Sequence, residues 1–314
     1  MALSDPFLEC FSGVSAMSSC RRLPEWFKIK LPMGSEAAGM RRRLNSLSLH
    51  TVCESARCPN QGECWGAGTA TIMIMGDVCT RGCRFCNVAT GRPAEPPDPG
   101  EPDRVAAAIS DAGLRYAVLT SVDRDDLPDA GASHFAATIR AVKALEPGIL
   151  VEALIPDYRG ARLEQIVSAG VDVLGHNVEV VRRLTPRARD RRASWDNSIG
   201  VLVEGVAMGK SRGTGMMVKT SLMVGIGETD DEVVEAIHEL AGAGVGILTI
   251  GQYLQPTSRH LPVERYVTPD TFDVYRQAAE KAGLSFVASG PLVRSSYRAA
   301  ELFAASRLGA DNRH

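Results

Sequence analysis

The sequence lacks three features that would assign it to a simple class. It has no uninterrupted apolar run of about 18 residues, so a membrane-spanning helix is not expected. Neither sign of charge dominates, because the sequence has 35 Lys and Arg residues and 37 Asp and Glu residues. The formal net charge of −2 argues against nucleic-acid binding. With 45% hydrophobic and 23% charged residues, extended disorder is excluded. The composition predicts a folded protein without membrane or nucleic-acid partners.

The first twenty residues also lack two common targeting signals. They have neither the basic start nor the long apolar stretch of a secretory signal. Asp5 and Glu9 are acidic residues of a kind that organellar transit peptides usually avoid. The sequence therefore predicts a cytoplasmic protein. In that compartment, eight cysteines indicate metal or redox chemistry rather than disulfides.

From about residue 70 onward, apolar runs alternate with amphipathic stretches. The predicted strands are Ala70–Cys79, Tyr116–Val122, Ile149–Ile155, Val171–His176, Met216–Gly225, Gly246–Leu254 and Ser285–Ser289. Predicted helices between them include Pro102–Ala112, Ala132–Leu145, Asp230–Ala243 and Pro269–Ala282. Nearly continuous apolar strands alternating with helices predict a parallel sheet covered by helices. The fold class is therefore α/β, as an incomplete (β/α)6 barrel.

We expect three regions in the chain: an N-terminal extension at 1–64, the partial barrel at 65–286 and a C-terminal segment at 287–314 that closes the site. Polar and glycine-rich residues follow the predicted strands. They occupy positions 79–86, 120–126, 152–157, 176–179, 225–230, 252–258 and 294–297. In a β/α barrel such segments converge on one mouth, where active sites are built. The predicted site lies at that mouth.

Cys79, Cys83 and Cys86 follow the first predicted strand with the spacing C-x3-C-x2-C. Structural zinc usually has four protein ligands, and an iron–sulfur cube is usually held by four thiolates. Three local thiolates therefore suggest a cube with one iron left open. A structural zinc loop or unpaired buried cysteines are the alternative.

A second triplet, Cys53, Cys58 and Cys64, has the spacing C-x4-C-x5-C and lies just before the barrel. It also lacks a local fourth ligand. The alternative is a zinc knuckle completed by a distant histidine, although none of the six histidines lies beside the triplet at a usual zinc spacing. Cys10 and Cys20 remain, and we interpret them as incidental free thiols.

The first cysteine loop, which reads C-T-R-G-C-R-F-C, resembles the radical S-adenosylmethionine superfamily. The resemblance implies a 4Fe–4S cluster on Cys79, Cys83 and Cys86 whose open iron is chelated by S-adenosylmethionine. It further implies that one electron cleaves the sulfonium and yields a 5′-deoxyadenosyl radical. These three cysteines are thus the expected catalytic residues, together with Ser296, whose role comes from the family resemblance.

Both triplets in this order, C-E-S-A-R-C-P-N-Q-G-E-C-W and then the first loop, resemble the lipoyl synthase family. Five further segments resemble the same family. They begin at Thr120 (T-S-V-D-R-D-D-L-P-D), His176 (H-N-V-E), Met223 (M-V-G-I-G-E-T), Gln252 (Q-Y-L-Q-P) and Arg294 (R-S-S-Y). The likeness covers about residues 22–303. It implies that a second, auxiliary 4Fe–4S cluster is held by Cys53, Cys58, Cys64 and Ser296, with Ser295 as the less favoured serine.

The family implies an activity and a set of partners. Two sulfur atoms are inserted at carbons six and eight of an octanoyl chain attached to a lysine, and the auxiliary cluster supplies them. Implied partners are an octanoylated carrier (a glycine cleavage H protein or a 2-oxoacid dehydrogenase E2 lipoyl domain), a flavodoxin or ferredoxin, and an iron–sulfur carrier for cluster repair. The alternatives are another radical sulfur-inserting enzyme, such as a methylthiotransferase, and a non-enzymatic cluster scaffold.

Polar residues at the strand ends are the expected contacts of S-adenosylmethionine. They are Thr120, Ser121, Asn177, Glu179, Lys219 and Gln255. Asn177 or Glu179 could bond the ribose hydroxyls. Each of the six has an alternative role as a helix cap or a polar group at the edge of the core. The glycines of Gly225-Ile-Gly-Glu are expected to let the backbone approach the ligand.

Six arginines lie within eleven residues after the fourth predicted strand. They are Arg182, Arg183, Arg187, Arg189, Arg191 and Arg192. Two interpretations remain open at this point. The run forms either a solvated, salt-bridged face or a docking patch for an acidic carrier domain.

Overall fold

The computed structural model describes residues 23–27, 42, 47, 49–52, 58, 60–66 and 69–296. The strands are β1 (His50–Thr51), β2 (Thr69–Ile74), β3 (Val78–Cys79), β4 (Ala89–Thr90), β5 (Tyr116–Ser121), β6 (Leu150–Leu154), β7 (Val173–Gly175), β8 (Met217–Val224), β9 (Ile247–Gln252) and β10 (Phe286–Gly290). The helices are α1 (Gln61–Gly66), α2 (Glu101–Asp111), α3 (Ala132–Leu145), α4 (Ala161–Ser168), α5 (Thr185–Ala188), α6 (Trp195–Arg212), α7 (Asp230–Gly242) and α8 (Pro269–Lys281). Of the residues named in the sequence analysis, Asp5, Glu9, Cys10, Cys20, Cys53 and Tyr297 lie outside the described residues.

One large sheet organises the molecule. Its strand order is β1-β2-β5-β6-β7-β8-β9-β10, while β3 and β4 form a separate pair. All neighbours from β2 to β10 are parallel, and β1 pairs with β2 in the antiparallel sense. Among the described residues, β1 and β10 are the two edges, so the sheet does not close on itself. The prediction of an incomplete β/α barrel is confirmed.

Serine and threonine side chains cap the starts of α6, α7 and α8. The Ser194 side chain accepts a hydrogen bond from the Asn197 amide at the start of α6. Thr229 and Glu232 form a reciprocal capping box at α7, and Thr268 caps α8. Such caps satisfy backbone N–H groups that have no partner inside the helix. In the described parts of the chain, no helix is both long and apolar enough to cross a membrane.

Prediction of a single strand over Ala70–Cys79 is wrong. β2 ends at Ile74 because Met75 and Gly76 have positive φ angles of 65° and 88°. The Met75 amide donates to the Glu101 carboxylate at 2.9 Å instead of to a neighbouring strand. The chain therefore turns before β3 delivers Cys79. The sequence also gave no indication of β1 and α1, which have two and six residues and are too short to show a periodic pattern.

Side chains on the two faces of the strands enter different cores, because they alternate along each strand. Ala117 and Leu119 belong to the main core, which also contains helix residues such as Ile109 and Ile139. Tyr116, together with Val118, Val173 and Ile247, belongs to a separate apolar cluster. This second cluster fills the inside of the barrel near the amino ends of the strands.

A buried ion pair lies next to this inner cluster. Lys219 donates to both oxygens of Glu152 at 2.8 and 2.9 Å, and Tyr116 donates to the same carboxylate at 2.7 Å. The side chains of Lys219 and Glu152 are 3% and 1% exposed. A charge so far from water is tolerated only while its partner is present.

We expect Lys219→Met to lower the free energy of unfolding by about 3–5 kcal/mol, because it leaves the Glu152 carboxylate buried without a cation. The double variant Lys219→Met/Glu152→Met removes both charges and should recover most of that loss. Urea unfolding followed by circular dichroism measures both. Equal losses in the single and double variants would contradict the ion-pair interpretation.

Candidate active site

A cavity of about 290 Å³ lies at the carboxyl ends of the parallel strands. Its wall contains Cys86 of the first triplet and Cys58 and Cys64 of the second. Ser295 and Ser296, from beyond the last strand, line it too. One space therefore brings together residues from both triplets and from the R-S-S-Y segment.

The remaining wall is largely apolar. Its apolar residues are Val52, Phe85, Val88, Met223, Tyr253, Leu254, Pro256 and Val293. Its polar residues include Asn60, Thr69, Thr71, Asn87, Asn177, Glu179, Ser221, Gln252 and Arg294. A mainly apolar wall with a few polar groups suits a small molecule or an alkyl chain.

The surroundings of the first triplet fit a cluster bound through sulfur. The Cys79 sulfur accepts hydrogen bonds from the amides of Arg81 and Asp123, both at 3.4 Å, and the Cys83 sulfur accepts one from the Asp190 amide at 3.4 Å. Burial raises the pKa of Cys79 to about 11 and that of Cys83 to about 12. Without a cation these groups are neutral thiols, whereas a bound metal deprotonates them. The amides are already directed at the sulfur atoms of such thiolates.

A single metal ion suits the described residues less well. In the part of the chain that the structure describes, no three Cys, His, Asp or Glu side chains converge as a site for one ion. The zinc alternative therefore gains no support.

Short local structure holds the two described cysteines of the second triplet. The Cys64 amide donates to Asn60 O at 3.0 Å as α1 begins. The Asn60 side chain donates to Leu292 O at 2.6 Å, which ties this segment to the chain just before Ser295 and Ser296. The sequence separation of 232 residues is thereby bridged by one side chain. A serine oxygen on the same wall as two cysteine sulfur atoms fits the ligand set expected of a cluster with one weaker corner.

Three carboxylates anchor the first cysteine loop through Arg81. Its guanidinium pairs with Asp123 at 3.2 Å and Asp125 at 3.0 Å, and it also bonds Asp157. Burial raises the pKa of Asp123 to about 6, although the charge of Arg81 acts in the opposite direction. Asp123 and Asp125 follow β5 and Asp157 follows β6, so Arg81 joins the cysteine loop to the ends of two neighbouring strands.

Of the six predicted S-adenosylmethionine contacts, Asn177 and Glu179 line the cavity. Glu179 adopts a positive φ of 70°, which is uncommon outside glycine, and its amide and carbonyl bond Ser221 O and the Met223 amide. Burial raises the pKa of Glu179. Strained backbone of this kind is typical of functional positions.

The other four residues are not part of the wall of this cavity, and their contact with S-adenosylmethionine stays a prediction. Lys219 is committed to Glu152, Thr120 donates to Leu154 O at 3.0 Å, and Gln255 donates to His260 O at 2.9 Å. Ser121 lies on the strand face opposite to that of Thr120. Ser221 lines the cavity and was missed; it lies two positions beyond Lys219 on β8, where strand alternation could have identified it.

In the glycine loop after β8, two backbone amides form hydrogen bonds with a side chain of the same loop. The Glu228 carboxylate accepts hydrogen bonds from the amides of Gly225 at 2.5 Å and Ile226 at 3.0 Å. A side chain at Gly225 would meet Arg265 O at 2.5 Å. The glycine therefore allows two chain segments to pack closely, and Gly225 does not line the cavity.

Five of the six arginines in the run have partners within the chain. Arg182 pairs with Asp196 and Glu239, Arg183 with Glu232 and Arg187 with Glu264. Arg189 donates to Ser198, and Arg192 pairs with Asp190 and Asp125. The salt-bridge interpretation is therefore favoured over a docking patch.

The barrel and its cysteine loop match a known superfamily. The Radical SAM superfamily model matches residues 73–240, more than half of the chain. Among solved structures, a methylornithine synthase has a TM-score of 0.52 at 15% identity, covering 80% of this chain and 81% of its own. The hydrogenase maturase HydG from Carboxydothermus hydrogenoformans has a TM-score of 0.53 at 11% identity, covering 87% of this chain and 78% of its own. These structures support the fold, and the family model defines a radical S-adenosylmethionine protein.

The comparison of sequences is more specific. A model of the N-terminal domain of lipoyl synthase matches residues 14–58. The lipoyl synthase of Oryza sativa subsp. indica is 50% identical over 295 residues, covering 92% of this chain and 76% of the relative. That of Arabidopsis thaliana is 50% identical over 296 residues, covering 92% and 78%. The chain belongs to the lipoyl synthase family.

The prediction of a cytoplasmic location is wrong by the same comparison. The relatives from Oryza sativa, Arabidopsis thaliana and Pisum sativum are all named as mitochondrial lipoyl synthases. The two acidic residues near the start of the sequence, Asp5 and Glu9, therefore do not decide the compartment.

His176, which precedes Asn177, is buried beneath the mouth. Its Nδ1 donates to Ile155 O at 3.1 Å and its Nε2 accepts from Ser198 Oγ at 3.0 Å, a tautomer fixed by the carbonyl, which can only accept. Burial lowers the pKa of His176 to about 4, although the nearby Asp157 acts in the opposite direction. In the native state His176 therefore becomes protonated only at a much lower pH than it does in the unfolded chain.

We expect His176 to make the fold acid-sensitive between pH 6.5 and about 4. Above pH 6.5 both states are neutral at this residue. Below it the unfolded chain is protonated first, so stability falls by about 1.4 kcal/mol per pH unit until the native histidine titrates. Urea midpoints measured from pH 7 to 4 should decline less steeply in His176→Asn. The control His238→Asn removes an exposed histidine and should keep the parent slope; equal slopes in all three proteins would refute the assignment.

Proposed function

We propose that this member of the lipoyl synthase family inserts two sulfur atoms into an octanoyl chain carried on a lysine of a lipoyl-domain protein. The observation that carries the proposal is the shared cavity, whose wall contains Cys86, Cys58, Cys64 and Ser296. A sulfur source and a radical source must both reach the same alkyl chain. Residues of the two predicted ligand sets on one wall support that requirement.

The proposed ligands of the radical-generating cluster are Cys79, Cys83 and Cys86, with S-adenosylmethionine at the open iron. Amides directed at the sulfur atoms of Cys79 and Cys83 support this assignment. Asn177 and Glu179, on the cavity wall, are proposed to orient S-adenosylmethionine.

The proposed ligands of the auxiliary cluster are Cys53, Cys58, Cys64 and Ser296. The oxygen of Ser296 is a harder and poorer partner for an iron–sulfur centre than a thiolate is. Ser296 therefore releases its iron more readily than the cysteines do, as a sulfur donor requires. The link between Asn60 and Leu292 supports this assignment, because it keeps the serine segment beside the cysteine segment.

The reaction needs cofactor chemistry because the carbons concerned are unactivated. Acid–base catalysis contributes only about 10²- to 10⁴-fold and no side chain can deprotonate such a carbon. When bound, the two clusters and S-adenosylmethionine supply the hydrogen-abstracting radical and the sulfur. The protein binds and orients the substrate. Apolar residues such as Phe85, Val88 and Met223 would hold the alkyl chain and exclude water.

The macromolecular substrate is a lipoyl-domain protein. We further propose the H protein or an E2 lipoyl domain as the carrier, a flavodoxin or ferredoxin as electron donor and an iron–sulfur carrier as the source of cluster repair. No observation favours a methylthiotransferase, since the sequence comparisons that show the family name lipoyl synthases.

We expect Cys58→Ala to abolish sulfur insertion while 5′-deoxyadenosine still forms, because it removes a ligand of the auxiliary cluster alone. Mass spectrometry of the octanoylated carrier and chromatography of the nucleoside measure the two products. Iron should fall from about eight to about four per chain after anaerobic reconstitution. Cys83→Ala is the matched control and should abolish both products. Normal lipoyl product from Cys58→Ala would contradict the proposed role.

The two serines allow a second test. Ser296→Ala should weaken iron retention at the auxiliary cluster and reduce lipoyl product, while Ser295→Ala, the neighbouring control, should keep both. Iron assays after gel filtration and carrier mass measure the outcome. The reverse pattern would transfer the ligand role to Ser295.

A further inference from the structure

Asp190, from the arginine-rich segment, contacts the first cysteine loop at two points. The Gly82 amide donates to its Oδ2 at 3.0 Å, and its own amide donates to the Cys83 sulfur at 3.4 Å. These contacts join residues 108 and 107 positions apart in the sequence. A neighbouring backbone hydrogen bond, from the Arg84 amide to Ala188 O at 2.8 Å, joins the same two segments. The loop is thus held around its middle cysteine by residues 188–190.

Arg192 fixes the carboxylate in turn. It donates to Asp190 Oδ1 from its backbone at 3.0 Å and from Nε at 2.8 Å. The same guanidinium reaches Thr80 O in the cysteine loop and Asp125 at 3.2 Å. The Asp190 side chain is only 12% exposed, so its position is well defined by these partners.

Other carboxylates paired with the arginine run do not share this arrangement. Asp196, which binds Arg182, has a side chain that is 80% exposed. Glu232 binds Arg183 and closes the capping box of α7. Asp190 differs because its contacts reach a sulfur ligand and the peptide amide just before it.

We propose that Asp190 is a positioning residue for the first cluster, which holds the loop around Cys83 and contributes to the reduction potential of the bound cluster. The proposal rests on the proposed function of Cys79, Cys83 and Cys86. Partners that contact metal ligands fix the geometry of those ligands. Hydrogen bonds to the sulfur atoms and nearby charge set the potential of iron–sulfur clusters.

The direction of the effect follows from charge. A negative carboxylate near the cluster disfavours the added electron. Replacing Asp190 by a neutral residue should therefore make the potential more positive. Losing the acceptor for the Gly82 amide should, in addition, loosen the loop and speed the loss of iron.

The experiment uses the full chain in a Cys58→Ala background, which is expected to hold the first cluster alone. Asp190→Asn keeps an acceptor oxygen and removes the charge, so its potential should become more positive while iron release to a chelator stays within about twofold of the parent. Asp190→Ala should show the same direction of potential and iron release faster by about 10- to 100-fold. Potentials come from redox titration followed by paramagnetic resonance. Circular dichroism checks the fold.

The matched control is Asp196→Asn, which removes a carboxylate paired with an arginine of the same run and should change neither quantity. Unchanged potential and iron release in Asp190→Ala, with a loaded parent, would overturn the role of Asp190 and leave the proposed function intact. A Cys58→Ala parent that binds no cluster would overturn both. A potential that shifts equally in Asp196→Asn would show a general charge effect and also overturn the assignment to Asp190.

Discussion

The arrangement of the mouth depends on one guanidinium, that of Arg81, whose side chain is 11% exposed. Arg81 lies inside the first cysteine loop and binds carboxylates that follow β5 and β6, among them Asp123 and Asp157. Burial by itself would lower the pKa of Arg81, but the bonds to Asp125 and the two other carboxylates raise it, so the charge persists. Breaking such a cluster would leave buried charges unpaired, which is costly. The position of the cysteine loop is therefore coupled to the packing of the barrel strands.

The segments before and after the barrel contribute part of the cavity wall. The short edge strand β1 pairs with β2, and the Asn60 side chain bonds Leu292 O. Gly251, at the end of β9, is required because a side chain there would meet Val293 O at 2.1 Å. The absence of a Cβ atom lets the C-terminal segment lie directly over the strand end. In this way Ser296 reaches the wall that carries Cys58.

The alternation of apolar runs with amphipathic stretches was sufficient to predict the parallel sheet, since buried parallel strands are continuous apolar runs. It also predicted the bounds of α2, α3, α7 and α8 to within one residue. The break at Met75 was not predictable, because it depends on a bond to Glu101 from α2. The ion pair of Lys219 was not predictable for the same reason, because its partner Glu152 lies on another strand. Which face a polar side chain occupies is decided by register, and the register comes from the assembled sheet. The arginine run was ambiguous because its carboxylate partners are distant in the sequence.

The fold alone does not select the reaction. Solved structures with 11–15% identity share the barrel and therefore only the architecture. Two segments outside the barrel distinguish this chain from those structures. One contains α1 and lies before the first parallel strand, and the other contains Ser295 and Ser296 and follows the last strand. The family model for the N-terminal domain of lipoyl synthase ends at residue 58, within the second triplet. The barrel thus provides the mouth and the cysteine loop of the superfamily, while both flanking segments add cysteine and serine side chains to the wall of the cavity.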